Sequence, residues 1–462
     1  MEEKMTKQNK MAAMPVPKLL INMGAPMMLS MISLALYNMV DTFFVSRIPD
    51  TSVITEMGDK AVNALTLAYP IQMLIIALGV GIGIGINTNT ARNLGRGDRE
   101  KVSRTAGNAL VIAAVIYILM LIFGLFGAGA FIRSQTDSEI IAGLGTSYLK
   151  IISICSFGTV GHMCLEKIVM AVGRTTYTMI AQLSGAVVNI VMDPLLIYGY
   201  LGLPALGVKG AAIATVLGQC VSFALIILFF FKSPEVDKGL HFMKPDGDVL
   251  KMIFVVAGPA ILMQLSNPIM NYAMNLILGG ISVSAVTAFG VYGRLYYIVQ
   301  MPIFGLNNAS IPSASFNRGA KRFDRVRDII KYDLIFVTIM MIVFIAILQI
   351  FPDQIVGIFS ISGESARICI TALHIITVGY IFLGANYMLQ GICQALGKGV
   401  ASMIITFIRC LIVLLPAAYL LSLSANASDL VWWAVPIAEF AGIIAAVLFT
   451  LNAYRKCIKE QG

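Results

Sequence analysis

The sequence predicts an all-α polytopic membrane protein, with twelve transmembrane helices arranged as two six-helix bundles. Of its 462 residues, 58% are apolar and only 12% are charged, which is about half the charged fraction of a soluble domain. The apolar stretches are continuous, whereas the strands of a membrane barrel alternate between apolar and polar residues. The second half of the chain also repeats the pattern of the first. These observations exclude a soluble globule and favour helices over barrel strands.

Each predicted helix is an apolar stretch long enough to cross a hydrocarbon core, which takes about 20 helical residues. In chain order the stretches cover residues 18–46, 61–90, 105–132, 146–172, 176–201, 207–231, 252–280, 283–314, 328–352, 366–395, 399–423 and 430–454. Several are longer than a span needs, so they can tilt, kink or extend beyond the bilayer. The first is too long for the apolar region of a cleavable signal peptide, so we expect it to be retained as helix 1.

The basic residues lie mostly in alternate connections between the predicted helices. Most of the 33 Lys and Arg residues fall on one side when the connections are assigned inside and outside in turn, beginning with Lys4 and Lys7. Loops rich in Lys and Arg stay cytoplasmic, so we predict that both termini are cytoplasmic, in a plasma (inner) membrane. The net charge of +9 then reports topology, and we expect no nucleic-acid partner.

A repeat relates the two halves of the chain. Asn93-x-Gly95 returns as Asn317-x-Gly319, an offset of 224 residues. Other paired positions are Ala61 with Ala285, Gly173 with Gly397, Gly218 with Gly442 and, at a slightly longer offset, Pro26 with Pro259. Six helices, an even number, separate the repeats, so the halves have the same orientation in the membrane. They are therefore related by a pseudo-two-fold axis along the membrane normal.

The repeat also sets the domain boundaries. We predict an N-lobe at residues 1–235, a polar cytoplasmic connector at 236–250 and a C-lobe at 251–462. Two similar lobes facing a central pathway are typical of a transporter, whereas a channel would rather repeat subunits around a pore.

Ionisable side chains inside the predicted helices are functional candidates, because each costs at least about 2.5–3.5 kcal/mol at membrane depth. Asp41 on helix 1 and Asp193 on helix 5 reach a similar depth, in the outer part of the bilayer. Tyr37 and Asn189 lie one turn before them, on the same helix faces, and Thr215 lies near the outer start of helix 6. Two carboxylates in a poorly hydrated pocket cannot both stay ionised cheaply, so we expect a proton or a cation to enter.

The chemistry of this set leaves the cation open. Asp41, Asn189, Asp193 and Thr215 offer only oxygen atoms, which suits a hard cation such as Na⁺, while a proton needs the two carboxylates alone. A structural alternative for Asp193 is that its carboxylate bonds the backbone groups freed by Pro194.

Other polar residues in the apolar helices also qualify as lining of the interior. Glu166 on helix 4 follows His162 by one turn and directly precedes Lys167, so a relay role and a structural pair with Lys167 are both open. Further residues expected to face the interior are Asn38, Asn271, Asn275 and Asn386.

Three charges lie near mid-depth in the C-lobe, namely Arg294, Arg409 and Glu439. Two cations with one anion predict a buried ion-pair network. The alternatives are a site for anionic groups and a simple bridge from Glu439 to one arginine.

Motifs for other functions are missing from the sequence. It contains no nucleotide-binding loop, catalytic serine motif or cluster of metal ligands, and its seven cysteines show no C-x-x-C spacing. The alternating glycines of Gly79-x-Gly81-x-Gly83-x-Gly85 fit close helix packing better than a dinucleotide site. We therefore expect no enzyme activity and no cofactor, and an ion gradient as the energy source.

In these features the chain resembles the multidrug and toxic compound extrusion (MATE) transporters over all twelve helices. The resemblance is carried by the two six-helix halves, by Gly24-Ala25-Pro26 in helix 1, by the basic loops that begin at Asn93 and Asn317, and by the turn Gly173-Arg174. It implies efflux of mostly cationic, amphipathic drugs or metabolites in exchange for H⁺ or Na⁺.

The resemblance also implies residue roles. The family's N-lobe cation site matches Asp41, Asn189, Asp193 and Thr215, and Tyr37 matches an aromatic residue beside it. Another branch of the family carries acids on helices 7 and 10. Here those helices carry only asparagines at mid-depth (Asn271, Asn275 and Asn386), so the chain looks more like the DinF-like and MepA-like branches.

The sequence thus predicts a monomeric antiporter that works by alternating access, with Pro26 as the point where helix 1 bends. Its partners would be small cationic molecules and membrane lipid. The rival hypothesis is a flippase for lipid-linked saccharides, whose cavity would use Arg294 and Arg409 to bind anionic head groups.

Overall fold

The computed structural model describes residues 9–50, 55–359 and 361–461, and the regular structure within them is entirely helical. Lys4 and Lys7, which entered the topology prediction, lie outside the described residues. Twelve long helical segments correspond to the predicted ones. They are α1 Val16–Ser46, α2 Met57–Gly95, α3 Arg99–Arg133, α4 Glu139–Ile154 with Phe157–Ala171, α5 Thr175–Tyr198, α6 Val208–Phe231, α7 Gly247–Gly279, α8 Val283–Gly319, α9 Phe323–Ile350, α10 Gly363–Ala395, α11 Gly399–Ser422 and α12 Ala427–Lys459.

Within the described residues, ten of these helices are long and apolar enough to span a membrane, judged by length and composition. α4 qualifies as an eleventh when its two parts are taken together, with a bend of 45° between them. α8 falls short because polar residues along it lower its hydropathy. Four of these residues, Gln300, Asn307, Ser310 and Asn317, are buried, so the helix keeps them inside the protein, where other polar groups can bond them.

Many large apolar side chains are exposed on the helices, for example Phe126, Leu228 and Ile342. A soluble monomer rarely exposes apolar surface on this scale. Such a surface suits lipid.

The turns of the two halves share their backbone geometry. Gly173 and Gly397, which end α4 and α10, both adopt positive φ, at 90° and 67°. After α2 and α8, Gly97 has φ of 77° and its repeat partner Lys321 has φ of 57°. A left-handed lysine is unusual, because its Cβ crowds the backbone there. The repeat is therefore a repeat of structure, and the second half keeps the turn even where the glycine has been replaced.

Contacts divide the chain into two compact units. The C-terminal unit contains the described chain up to Met28, the segment Ala91–Gly97 and the chain from Ile253 onward. The N-terminal unit contains Leu29–Thr90 and Asp98–Met252. α1 therefore passes from one unit to the other two residues after Pro26. The boundaries of the two lobes stay a prediction.

The C-terminal ends of α2 and α8 cross at a pair of glycines within the C-terminal unit. A Cβ atom on Gly95 would collide with the carbonyl oxygen of Phe316, and one on Gly319 would collide with the carbonyl oxygen of Arg92. Gly95 and Gly319 are repeat partners, and so are Arg92 and Phe316. The same contact is thus made twice, in a two-fold relation, and only glycine permits this closeness.

The predicted connector, residues 236–250, packs along the start of α3 within the N-terminal unit. The side-chain oxygen of Asn108 accepts a hydrogen bond from the backbone of Asp246 at 2.9 Å, and Ser103 accepts one from the backbone of Asp237 at 2.8 Å. Arg104 bonds the Asp246 carboxylate at 2.9 Å. The guanidinium holds the pKa of the Asp246 carboxyl below its ordinary value.

Candidate functional site

Two glycines bring α5 and α6 close enough to join their polar side chains. A Cβ atom on Gly218 of α6 would lie 2.6 Å from the carbonyl oxygen of Gly185 of α5. Helices approach this closely only where small residues line the contact. One turn after Gly185, the buried Asn189 side chain donates a hydrogen bond to the Thr215 hydroxyl at 3.5 Å. The structure therefore brings together two of the predicted cation-site residues.

Asp193 is fully buried one turn beyond Asn189, and neither of its carboxyl oxygens has a hydrogen-bond partner among the residues that the structure describes. The structural alternative for Asp193 is therefore wrong in this structure, because the carboxylate bonds no backbone group near Pro194. The side-chain oxygen of Asn189 and one oxygen of Asp41 are also buried without a partner. Unpaired buried oxygens of this kind are costly and call for a proton or a cation.

Asp41, from α1, lies close enough to Asp193 for the two carboxylates to interact electrostatically. Both carboxylates also interact electrostatically with the hydroxyl of Tyr148 on α4, and so does Tyr37. Tyr148 is buried, and its hydroxyl accepts a hydrogen bond from Gln72 of α2 at 2.9 Å. We call the group formed by Tyr37, Asp41, Gln72, Tyr148, Asn189, Asp193 and Thr215 the carboxylate cluster.

The sequence did not single out Tyr148 and Gln72. Gln72 is a lone amide in an apolar stretch of α2, which was a usable signal. Tyr148 gave no such signal, because a tyrosine in an apolar helix is as often a packing residue as a functional one.

The oxygen-only character of the cluster fits the cations that the sequence analysis considered. Carboxylate, amide and hydroxyl oxygens are ligands for hard cations, and the unpaired carboxylates alone would hold a proton. Within the described residues of the cluster, no basic side chain neutralises Asp41 or Asp193.

Two predicted cavity residues of the N-terminal half, Asn38 and Glu166, lie in different surroundings. Asn38 is exposed and donates to the backbone of Leu34 at 2.9 Å, so it stays outside the cluster. Glu166 is buried on α4 with its carboxylate 4.0 Å from the amine of Lys167. The pairing expected as one alternative is thus present, although one Glu166 oxygen has no hydrogen-bond partner.

The glycines of α2 make room for α4. The side chains of Met163 and Lys167 lie where Cβ atoms on Gly79 and Gly83 would stand. The packing interpretation of the glycine pattern fits these contacts.

The C-terminal half contains a buried ion pair. Arg409 donates to Glu439 at 3.2 Å, and the Asn386 amide donates to the other Glu439 oxygen at 2.7 Å. The guanidinium carbon of Arg409 lies 4.4 Å from the ring centre of Tyr387. Arg409 stands in a π-helical turn of α11, Ile408–Val413, and such turns are frequent at functional sites.

Arg294 does not belong to this pair, so the simple bridge from Glu439 to one arginine is confirmed and the three-charge network is wrong. Arg294 is exposed and lies over the Phe359 ring at 5.9 Å. The predicted membrane depth of Arg294 is close to that of Arg409, but Arg294 lies on a different face of its helix. Asn271 and Asn275 are likewise exposed on α7, and their place in a cavity stays a prediction.

The repeat shows how the halves differ. At the offset of 224 residues, Glu439 corresponds to Thr215, and Arg409 corresponds to Gly185. Asp193 corresponds to Ala417, which has no charge. At these positions the N-terminal half thus carries a carboxylate without a basic partner, and the C-terminal half carries a carboxylate neutralised by an arginine.

Comparison with known proteins gives one family. A sequence model of the family described as MatE matches residues 26–195 and 259–420, which is more than half of the chain. The multidrug export protein MepA of Staphylococcus saprophyticus is 26% identical over 433 residues, covering 93% of this chain and 92% of that protein. MepA of Staphylococcus aureus is 24% identical over 436 residues, covering 94% and 93%.

Solved structures agree with this match. A multidrug resistance MATE family transporter of the MOP superfamily, in an outward-facing conformation, is similar with a TM-score of 0.89 at 25% identity, over 98% of this chain and 99% of that one. A MOP superfamily transporter from Pyrococcus furiosus, whose binding pocket of reversed polarity suggests a different function, has a TM-score of 0.87 at 25% identity, over 98% of each chain. Their twelve-helix, two-lobe architecture confirms the predicted fold class.

Proposed function

The chain belongs to the MatE family of membrane transporters, and on that basis we propose that it exports cationic, amphipathic compounds by antiport with H⁺ or Na⁺. It is a multi-pass transporter and not an enzyme, as its family and its MepA relatives show. Cationic substrates, a monomeric state, a plasma membrane location and cytoplasmic termini are part of the proposal.

The carboxylate cluster is the observation that carries the proposal. Asp41 and Asp193 lie in electrostatic reach of each other, and Asp193 is fully buried without a hydrogen bond. Two such groups take up a proton or a cation more readily than they stay bare. A cation bound there shifts the transporter toward one conformation by as much as its affinity differs between conformations.

Exchange follows if cation and substrate favour different conformations. Entry of the cation at Asp41 and Asp193 then drives release of the substrate, and loss of the cation to the other side resets the protein. Pro26 is the proposed bending point of α1, because a proline in a helix interior removes one backbone hydrogen bond. Its position two residues before α1 changes unit supports this assignment.

Transport in reconstituted vesicles tests the cation site. We expect Asp41→Asn and Asp193→Asn to abolish gradient-driven dye efflux while the purified protein keeps its elution profile and thermal midpoint. Asp59→Asn, an exposed carboxylate at the start of α2, is the matched control and should transport at the parent rate. Parent-rate efflux by either cluster variant would show that the cation binds elsewhere.

The coupling ion is tested with the same vesicles. A pH gradient is imposed without sodium, and a sodium gradient is then imposed at constant pH. The ion whose gradient drives efflux in the parent, and fails to do so in Asp193→Asn, is the one that binds the cluster.

The flippase alternative loses support from the C-terminal half. It relied on Arg294 and Arg409 for an anionic head group, yet Arg409 is neutralised by Glu439 at 3.2 Å. A buried arginine with a bound carboxylate offers little free charge to a phosphate.

A further inference from the structure

A carboxyl group in the C-terminal unit stands apart from every site described above. Asp333 on α9 is fully buried. The other buried residues at helical spacing on its face are Val326, Ile329, Val337 and Met341. An acid thus occupies the middle of an otherwise apolar stripe, which is costly unless its charge is removed or paired.

The hydrogen bonds of Asp333 indicate whether its charge is removed by a proton or paired with a basic group. The Ser310 hydroxyl oxygen on α8 lies 2.5 Å from one Asp333 oxygen and 3.0 Å from the backbone carbonyl of Leu306. The other Asp333 oxygen has no partner. Within the described part of the chain, the Ser310 hydroxyl is the one side-chain group that interacts with the Asp333 carboxyl. No basic side chain there compensates a charge on Asp333.

Proton counting at Ser310 separates the two states of the acid. The hydroxyl has one proton to donate, and the Leu306 carbonyl can only accept. A neutral Asp333 supplies the second proton, so that Asp333 donates to Ser310 and Ser310 donates to Leu306. An ionised Asp333 would hold a full charge with a single hydrogen bond, and its second oxygen would be bare in an apolar site.

We propose that Asp333 is a proton-binding site of the C-terminal unit, occupied in this structure and holding α9 to α8 through Ser310. Binding adds one proton from solvent to one carboxylate oxygen, and no other bond is made or broken. Since the site is closed to water, the proton leaves only when α8 and α9 separate. Proton release is thereby linked to a conformational change of this unit. The site does not depend on what the chain transports.

Infrared spectroscopy of the full chain, purified into lipid at neutral pH, tests the proposal. A protonated carboxyl gives a carbonyl band separate from those of carboxylates and amides. We expect the parent spectrum to lose one such band in Asp333→Asn and to keep it in Asp324→Asn, an exposed acid on the same helix. A difference spectrum between the parent and Asp333→Asn with no carboxylic acid band would overturn the assignment.

A second variant covers the case in which Asp333→Asn fails to fold. Carbon-13 labelling of aspartate in the parent shifts the band and assigns it to an Asp side chain. Ser310→Ala removes the acceptor, so the band should stay but move to the frequency of an acid without a hydrogen bond. An unmoved band in Ser310→Ala would show that the protonated acid is not the one on α9.

Discussion

Removing Arg409 should destabilise the C-terminal unit far more than removing Arg409 and Glu439 together. Both side chains are buried, at 3% and 6% exposure, so neither charge can be satisfied by water. In Arg409→Met the Glu439 carboxylate keeps only the hydrogen bond from Asn386. Breaking a buried ion pair on one side in this way costs about 3–5 kcal/mol.

The double variant Arg409→Met with Glu439→Gln removes both charges and keeps the volume. Its cost should be about 1 kcal/mol or less, since a buried pair replaced as a unit is often neutral. The double variant should therefore be about 2–4 kcal/mol more stable than Arg409→Met. For a unit of this size, each kcal/mol moves the thermal midpoint by about 2–4 °C, so the single variant should melt roughly 10 °C lower.

Tryptophan fluorescence is the natural assay. Both tryptophans of the chain, Trp432 and Trp433, lie in the C-terminal unit, and Trp432 is buried. Thermal melts of the purified full chain therefore report on the unit that contains the ion pair. Arg294→Met, an exposed arginine, should melt within about 1 °C of the parent. If the single and double variants melt alike, the pair does not stabilise the unit and the charge of Glu439 is compensated by another group.

Three further predictions concern other parts of the molecule. Tyr148→Phe removes the hydroxyl that accepts from Gln72, so cation-driven efflux in vesicles should fall several-fold while stability changes by about 1 kcal/mol; unchanged efflux would remove Tyr148 from the cluster. Gly218→Ala forces α5 away from α6 at a cost of about 1–3 kcal/mol, and an unchanged melting midpoint would contradict the close packing. The Asp246 carboxyl has a lowered pKa in the folded state, so its contribution is present at neutral pH and is lost as the pH falls below the ordinary Asp value of about 3.9. The protection factors of residues 236–250 against hydrogen exchange, which correct for the intrinsic pH dependence, should therefore fall in acid in the parent, and Asp246→Asn should show no such pH step.

The helix positions and the polar residues proposed as a cation site were accessible from the sequence because their signals are one-dimensional. Apolar stretches gave the spans, and the basic loops gave a topology prediction. The distance of Asp41 and Asp193 from the nearest turns gave their similar depth. That similar depth predicted a shared polar cluster, and the structure joins Asn189 to Thr215.

Contacts that depend on which face of a helix a residue occupies could not be predicted from the sequence. Arg294 lies at the depth of Arg409, but only the packing of α8 shows that it turns elsewhere. Asp333 was overlooked because it lies near the charged start of α9, where an acid is expected to reach water. The hydroxyl contact between Tyr148 and Gln72 joins residues on two helices, and no spacing in the sequence encodes it.

The double contact between Gly95 and Gly319 has the form of a symmetric dimer interface. In such an interface the same patch meets itself, so that each copy gives the residue that the other copy receives. Here Gly95 faces the carbonyl of Phe316, and Gly319 faces the carbonyl of Arg92. Arg92 is the repeat counterpart of Phe316. The crossing thus repeats within one chain the two-fold relation of a symmetric interface, and a side chain at either glycine would collide with the backbone of the opposite helix.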